Sequence, residues 1–219
     1  MIRIGLISDT HGFLDEAVFE HFKDCDEVWH AGDFGGLDLF LSPPSGEGGR
    51  ESLPKPLRRR GLLEDKVLDI LEDKVEDIFE NKVVVNIGVW QGNYFSEKLH
   101  KKIIFRGVYG NIDNAAIRNI YPEKLFFTCE GVNVFMQHIG GYPGRYSKGI
   151  KEDIIAHKSN LFISGHSHIL KIMYDDKLQC LHMNPGAAGK QGWHKVRTLI
   201  RFTIDGKDMK NCEVVELEG

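Results

Sequence analysis

The sequence predicts an α/β protein in which stacked β-sheets are flanked by helices. Two observations predict this class. In the first half of the chain, short apolar runs that end in polar loops alternate with helical patterns, and in the second half β-rich segments follow one another closely. Elements of both kinds need a shared core, and the 42% hydrophobic content of the 219 residues is enough to form one.

The N-terminal elements alternate strand and helix. Residues 2–8 are apolar and β-rich and end at the polar Asp9, as expected of a buried strand that opens into a functional loop. Apolar residues recur at helical spacing over 14–23, which predicts a helix. Residues 27–31 predict a second strand, which stops at Gly32-Asp33.

The middle of the chain repeats this arrangement. Residues 102–108 lead into Gly110-Asn111, and residues 161–164 lead into Gly165-His166. Between them, residues 125–129 and 132–137 predict a hairpin that turns at Glu130-Gly131.

The C-terminal third is expected to be mostly antiparallel β-structure. Its apolar-rich segments alternate with short polar turns. The predicted strands are 169–174, 178–183, 196–204 and 212–217.

One stretch does not match its surroundings. Residues 42–49 are rich in proline, glycine and serine, and apolar residues then recur every four positions from 63 to 79, as in an amphipathic helix. We therefore expect a single domain over residues 1–219 with a linker and a helix inserted at 42–101. This insertion is the predicted contact surface for any protein partner or homo-oligomer.

The overall composition excludes several classes of protein. A net charge of −4 argues against general nucleic-acid binding, which leaves a strongly basic footprint, although a nucleic acid could still be a substrate. No apolar run approaches the roughly 20 residues that span a bilayer, and the N-terminus lacks a signal-peptide pattern. The four cysteines form no CxxC pair. A cytoplasmic protein without a membrane anchor is expected.

Five short motifs contain metal-ligand residues, and each follows an apolar run. Together they supply two aspartates, one asparagine and four histidines, enough for two divalent metal ions. A two-metal centre narrows the chemistry to a few reactions, above all in-line displacement at phosphorus. The motifs are Asp9-Thr10-His11, Gly32-Asp33, Gly110-Asn111-Ile112-Asp113, Gln137-His138 and Gly165-His166-Ser167-His168.

Each ligand type has a physical reason. Asp9 and His11 are two positions apart, so in an extended segment both side chains leave the same face and could hold one ion. Asp33 could bridge two ions with its two oxygens, and the preceding glycine lets the backbone approach closely. Asn111 offers a carbonyl oxygen without a negative charge that would repel phosphate. The final pair of histidines repeats the two-residue spacing, and its two rings could serve different ions.

The order of these motifs resembles that of the calcineurin-like metallophosphoesterases. The compact size and Asn184-Pro185-Gly186 after the last histidines are similar to the small phosphodiesterase subfamily of YfcE type. The resemblance covers residues 1–40 and 103–217.

The resemblance implies a four-layer α/β/β/α sandwich and a dinuclear metal centre. The ions would be manganese first of all, or nickel, iron or zinc, with a metal-bridging hydroxide as nucleophile for hydrolysis of a phosphodiester bond. The expected ligands of the first metal are Asp9, His11, Asp33 and His168, and Asp33 is shared with the second metal, which Asn111, His138 and His166 complete. The expected catalytic residues are Asp9, His11, Asp33, Asn111 and His138.

One position departs from the family pattern. Many members have a histidine after the motif's asparagine, where this chain has Ile112, and isoleucine cannot protonate a leaving group. The neighbouring Asp113 is then expected only to cap the helix that follows at Asn114. We predict a preference for phosphodiesters with good leaving groups, such as aryl esters, unless another residue supplies the acid.

Substrate contacts are predicted in the loop after His138. Arg145 suits a phosphate oxygen, and Tyr142 or Tyr146 suits a substrate ring, while the alternative is a surface turn fixed by Pro143. His30 is expected to be buried and hydrogen-bonded rather than a ligand, and His194 to be structural or near the rim of the pocket.

Two other functions stay open at the level of sequence. The fold could serve as a partner-binding scaffold, as in the retromer subunit that resembles this family. Alternatively, the chain could be a phosphomonoesterase or nucleotide phosphatase of the same superfamily.

Overall fold

The structure is a computed structural model that describes residues 1–36, 89–90 and 94–218. The predicted linker and amphipathic helix between residues 42 and 83 lie outside the described residues. The predicted partner surface there therefore stays a prediction.

Two large sheets and four helices form the described part of the chain. The helices are α1 (Glu16–Phe22), α2 (Tyr94–Lys98), α3 (Ala115–Ile120) and α4 (Ile150–Ala156). The strands are β1 (Ile2–Ile7), β2 (Glu27–His30), β3 (Val89–Trp90), β4 (Ile104–Gly107), β5 (Lys124–Cys129), β6 (Val132–Gln137), β7 (Gly141–Tyr142), β8 (Arg145–Tyr146), β9 (Leu161–Ile163), β10 (Leu170–Asp175), β11 (Cys180–Pro185), β12 (Arg197–Asp205) and β13 (Asp208–Leu217).

The first sheet has the strand order β13-β12-β1-β2-β4-β3. Strand β1 is parallel to β2, and β2 is parallel to β4, so the carboxyl ends of all three lie at one edge. Strand β12 is antiparallel to β1 and pairs with β13 in a hairpin. The C-terminal hairpin thus returns to the sheet that the N-terminus begins.

The second sheet has the order β10-β11-β9-β6-β5. Strand β9 lies in its centre and is parallel to both β6 and β11. The outer pairs, β5 with β6 and β10 with β11, are antiparallel. The predicted hairpin that turns at Glu130-Gly131 is the β5–β6 pair.

The main core lies between the two sheets. Ile4 and Leu6 of β1 and Trp29 of β2 are fully buried against side chains of the second sheet, among them Val134 and Leu161. Burying one such large side chain stabilises the fold by about 1.5–3 kcal/mol. Alternation along β1 and β2 directs the neighbouring residues to the opposite face of the sheet.

Helices cover the outer face of each sheet. On the first sheet, α1 and α2 bury Phe19, Phe22 and Phe95 against Phe105 of β4. The side chain of Asp15 caps α1 by accepting a hydrogen bond from the backbone N–H of residue 17 at 3.0 Å.

On the second sheet, Ile150 and Ile154 of α4 pack against Phe135 and Phe162. The order of layers is therefore helix, sheet, sheet, helix. This confirms the predicted four-layer α/β/β/α sandwich.

The structure differs from the sequence prediction in three places. Residues 89–90 and 94–98, which the sequence analysis placed in the insertion, are elements of the sandwich, since β3 pairs with β4 and Phe95 of α2 is buried in the core. The C-terminal strands are divided between the two sheets, since β10 and β11 join one and β12 and β13 the other. Neither α4 nor the small β7–β8 hairpin is predicted by the sequence pattern.

None of the described helices combines the length and the apolar character that crossing a membrane requires.

Candidate metal centre

The five predicted ligand motifs meet at one edge of the sandwich. Three follow the parallel strands β1, β2 and β4, and two follow β6 and β9 of the second sheet. Their carboxylates and imidazoles form two groups, and within each group the candidate ligand atoms lie within 4.8 Å of one another. The first ligand group is Asp9, His11 and His168, and the second ligand group is Asp33, His138 and His166.

The first ligand group is compact and largely buried. Asp9 Oδ1 lies 3.2 Å from Nε2 of His168 and 3.9 Å from Nε2 of His11. The two Nε2 atoms are 3.2 Å apart. Three ligand atoms thus converge from loops that are 157 residues apart in the chain.

The second ligand group lies beside it. His138 Nε2 is 3.2 Å from Oδ2 of Asp33 and 3.2 Å from Oδ1 of Asn111. His166 is exposed, and its ring lies 5.3 Å from that of His138, centroid to centroid. Asp9 Oδ1 is 3.9 Å from His138 Nε2, so the two groups adjoin. All seven predicted ligands are therefore brought together, while their roles as ligands, and the bridging role of Asp33, stay predictions.

The residues fit a pair of divalent metal ions. Asp9 is fully inaccessible to solvent, so water cannot hydrogen-bond to its side chain. Its Oδ1 atom nevertheless has no hydrogen-bond partner among the described residues. A buried carboxylate oxygen normally has a partner, so this atom calls for a cation. Imidazole nitrogens with carboxylate and amide oxygens suit manganese, iron, nickel or zinc and do not select one of them.

The charges of the site favour a cation at its centre. The adjacent carboxylate of Asp9 raises the pKa of His168. Burial lowers the pKa of His138, but the nearby carboxylates of Asp33 and Asp9 outweigh burial and raise it. The carboxylates thus attract positive charge to the ring nitrogens, and a metal ion satisfies the same attraction.

The backbone is strained at most of the predicted ligands. Left-handed φ angles, uncommon for residues other than glycine, occur at five of the seven. Such strain persists at functional sites because the surrounding structure imposes it. The expectation that each Asp-x-His or His-x-His pair lies on an extended segment is therefore wrong. The angles are +54° at Asp9, +49° at His11, +59° at Asp33, +67° at His166 and +56° at His168.

A buried carboxylate ties two of the ligand loops together. Asp113 is 4% exposed and accepts hydrogen bonds from the backbone N–H groups of Asp33, Gly35 and Gly110 at 2.7–3.0 Å. The expectation that it only caps the next helix is wrong, because Asn114 is the cap of α3. Asp113 instead fixes the loop after β2 against the loop after β4.

Ile112 contributes its backbone rather than its side chain. Its N–H donates to Asp33 Oδ1 at 3.0 Å and so orients that carboxylate. Its side chain is 48% exposed. The position thus supports the second ligand group whatever side chain it carries.

A main-chain carbonyl fixes the ring of His138. Its Nδ1 lies 2.7 Å from the carbonyl oxygen of Ala31, which can only accept, so this nitrogen bears the hydrogen. In the neutral ring, the form that binds a metal ion, Nε2 then carries the lone pair and faces Asp33. Gly32 makes the approach possible, since a Cβ there would lie 2.6 Å from Nδ1 of His138.

Two residues near the first ligand group had no predicted role in the site. Nδ1 of His194 lies 3.2 Å from Nδ1 of His168, and its Nε2 lies 2.9 Å from the carbonyl oxygen of Gly189. The buried Asn184 donates to the carbonyl oxygen of Gly165 at 2.8 Å and so supports the loop that holds both histidines. The sequence offered a weak signal for Asn184, its place in an Asn-Pro-Gly turn.

His30 is buried and hydrogen-bonded, as expected. Its Nε2 lies 3.0 Å from Thr10 Oγ1, its Nδ1 accepts from the N–H of Gly32, and its ring stacks on Phe34. Burial lowers its pKa well below the usual value, so the ring is neutral.

Two cavities border the second ligand group, and Ile139 lines both of them. One, of about 260 Å³, is lined by Tyr142, Lys171 and the ligand His166. The other, of about 250 Å³, is lined by residues that include Arg118 and two ligands, Asn111 and His138. The predicted substrate residue Tyr142 thus lines a cavity beside the site. Arg145, its partner in the β7–β8 hairpin, is exposed and does not line either cavity.

Comparison with known proteins found one family model that matches this chain and several solved structures that are similar to it. The model, described as a calcineurin-like phosphoesterase superfamily domain, matches residues 2–43 and 66–207. A comparison with curated proteins found no match.

Three solved structures illustrate the likeness of fold. A predicted phosphoesterase from Streptococcus pneumoniae is 17% identical, with 98% of this chain and 89% of that chain covered and a TM-score of 0.52. A Thermotoga maritima protein is 18% identical, with coverage of 99% and 100% and a TM-score of 0.54. Vps29 from Entamoeba histolytica, in complex with zinc, is 12% identical, with coverage of 98% and 99% and a TM-score of 0.55.

Proposed function

The chain belongs to the calcineurin-like phosphoesterase superfamily, and from that premise we propose that it is a dinuclear-metal-dependent phosphodiesterase. The observation that carries the proposal is the pair of adjoining ligand groups, in which Asp9 Oδ1 is 3.2 Å from His168 and 3.9 Å from His138. Two ions side by side suit displacement at phosphorus, because they can neutralise the charge of a phosphate ester.

The predicted ligands are assigned to two ions. In this proposal Asp9, His11 and His168 hold the first ion, and His138, His166 and Asn111 the second. Asp33 contributes to both. Two bound divalent ions would supply an activated water as nucleophile and stabilise charge on the phosphoryl oxygens.

Several residues hold the protein side of this arrangement rigid. The N–H of Ile112 fixes one oxygen of Asp33, and the carbonyl of Ala31 fixes the ring of His138. Asp113 holds the loop after β2 against the loop after β4. Such preorganisation lowers the cost of aligning the substrate, because the protein does not rearrange during the reaction.

The two cavities favour a diester over a monoester. A diester has two organic groups on phosphorus, and two cavities border the second ligand group, one at His166 and the other at Asn111 and His138. Tyr142 offers a ring against which one group could stack, with the ammonium of Lys171 4.1 Å from the centre of that ring. Arg145 lines neither cavity, and its contact with a phosphate oxygen stays a prediction.

Because Ile112 cannot act as a general acid, we expect the best substrates to be phosphodiesters with good leaving groups. Isoleucine offers no proton, and general acid catalysis typically contributes about 10²–10⁴-fold. Asp113 does not replace the missing histidine, because its carboxylate is occupied by three backbone N–H groups. We therefore propose aryl diesters as the better substrates, with manganese as the first metal to test and the cytoplasm as the expected location.

A hydrolysis assay tests the proposal. The wild-type protein is stripped of metal, reloaded with Mn²⁺ and assayed on a bis-aryl and a mono-aryl phosphate, beside Asp33→Asn. The exposed Asp24→Asn makes the same chemical change away from the site and is the matched control. We expect metal-dependent turnover that favours the diester, is lost in Asp33→Asn and is retained in Asp24→Asn.

Other outcomes identify the alternatives. Preference for the mono-aryl ester would favour a phosphomonoesterase of the same superfamily. Failure of the wild-type protein to turn over either ester with any of the four metals would overturn the enzymatic proposal and favour a scaffold.

A further inference from the structure

We propose that His194 is a positioning residue that holds His168 in the tautomer able to bind a metal ion. The inference rests on the proposed metal centre and adds a residue to it. His194 is 26 positions from His168 in the chain and was not among the predicted ligands.

The contacts form a chain of three groups. The carbonyl oxygen of Gly189 lies 2.9 Å from Nε2 of His194. On the other side of that ring, Nδ1 of His194 lies 3.2 Å from Nδ1 of His168. The two rings meet edge to face, with 5.2 Å between their centroids and an interplanar angle of 68°.

The position of each hydrogen follows from the carbonyl. Because the oxygen of Gly189 can only accept, Nε2 of His194 bears a hydrogen, and in the neutral ring Nδ1 is then an acceptor. Nδ1 of His168 must therefore donate. Its Nε2 is left with a free lone pair, directed at Asp9 and His11. That is the form of histidine that binds a metal ion through Nε2.

The reverse arrangement would prevent metal binding. If Nδ1 of His194 donated instead, Nδ1 of His168 would accept, and the neutral ring of His168 would bear its hydrogen on Nε2. That hydrogen would point at Asp9 and occupy the direction of the ion. His194 thus acts through His168 and needs no contact with metal or substrate.

The loop between residues 189 and 194 is built around this pair of rings. Gly192 has φ +125°, and a Cβ there would lie 2.1 Å from Nδ1 of His168 and 3.1 Å from Nδ1 of His194. The N–H of Gly189 donates to the carbonyl oxygen of Asp9 at 3.1 Å. The same loop is therefore anchored to one ligand of the first group and orients another.

Two substitutions separate the two hydrogen bonds of His194. Asparagine places its Oδ1 where the ring has Nδ1, so His194→Asn keeps an acceptor for His168 and loses the donor to Gly189. Glutamine places its amide nitrogen where the ring has Nε2, so His194→Gln keeps the donor and loses the acceptor. The two variants are similar in polarity. They differ in whether residue 194 still offers an acceptor to Nδ1 of His168.

Calorimetric titration of the metal-free proteins with Mn²⁺ measures the effect. We expect two ions in the wild-type protein, and in His194→Gln a loss of affinity of about 10–100-fold for one ion, the range typical of partners that orient a ligand. His194→Asn should remain within about threefold of the wild type. Equal affinities in all three proteins would overturn the role of His194 and leave the metal centre intact, whereas a wild-type protein that binds no ion would refute both.

Nitrogen NMR of the histidine rings gives a second readout that does not depend on how well a variant folds. In the zinc-loaded wild-type protein we expect the ring of His168 to bear its hydrogen on Nδ1 and that of His194 to bear its hydrogen on Nε2. A hydrogen on Nδ1 of His194 would overturn the proposal.

Discussion

The histidines of the two ligand groups are held in place by different parts of the protein. In the second group, the carbonyl of Ala31 orients His138, and the N–H of Ile112 orients Asp33. In the first group, a main-chain N–H holds Asp9, but a side chain, His194, contacts the outer nitrogen of His168. A ligand held by the main chain tolerates changes of neighbouring side chains, whereas a ligand held by a side chain does not.

The two histidines that these contacts hold also differ in burial. His138 is 2% exposed, while His168 is partly exposed beside the loop of residues 189–194. His138 should therefore be the more rigid ligand and His168 the more adjustable one. Substitutions of residues that are not ligands should therefore weaken the binding of one ion more than that of the other.

The largest effect is expected from a ligand that both ions share. Asp33→Asn removes a negative charge from between the groups, so both ions should bind more weakly. Activity should fall by more than the roughly 100-fold upper range of a partner that only orients a ligand. Metal titration together with the diester assay measures this change. Loss of only one ion would show that Asp33 serves a single group.

Asp113→Ala tests the support of the second group. It leaves three backbone N–H groups without their acceptor, which should lower the free energy of unfolding by at least about 2 kcal/mol. Denaturant unfolding of the metal-free protein measures this loss, with Asp24→Asn as the control. The loops after β2 and β4 would separate, so affinity should fall mainly at the second ion. Unchanged stability would contradict the role given to Asp113.

Gly192→Ala tests the first group in the same way. The added methyl would overlap Nδ1 of His168, and alanine disfavours the positive φ of this residue. We expect the first ion to bind about tenfold more weakly, since outer-shell changes at metal sites have effects of this size. The second ion should be unaffected. Equal weakening of both ions would contradict the separation of the two groups.

Ile112→His is expected to have the smallest effect on metal binding. The contact of residue 112 with Asp33 is through the backbone, so both ions should bind as in the wild type. The new imidazole could protonate a leaving group, and we expect the ratio of alkyl to aryl diester turnover to rise about tenfold, below the typical range of an evolved acid. A matched Ile112→Gln variant, which offers no such acid, should leave the ratio unchanged.

Much of the site could be predicted from the sequence, because its ligands directly follow recognisable strands. Parallel strands of one sheet end at a common edge, which is why the motifs of Asp9, Asp33 and Asn111 converge. The motif of His168 follows a strand of the second sheet and joins them because the two sheets pack against each other. The positions of most strands likewise follow from apolar patterns, but their division between the two sheets does not.

The rest depends on contacts that no local pattern encodes. Left-handed backbone at five ligands arises because the surrounding loops impose it, not because of residue type. The role of Asp113 depends on N–H groups about 80 residues away, and that of His194 on a neighbour that faces it only after the loop has folded back. A carboxylate or imidazole in a polar loop is too common for its sequence to reveal such partners.

Anomalous diffraction tests the central claim most directly. Crystals of the wild-type protein grown with Mn²⁺ should show two anomalous peaks about 3.5–4 Å apart, the usual separation in two-metal sites. One peak should contact Asp9, His11 and Nε2 of His168, and the other His138, His166 and Asn111, with Asp33 beside both. A single peak, or no peak among these residues, would contradict the dinuclear centre on which the proposed function depends.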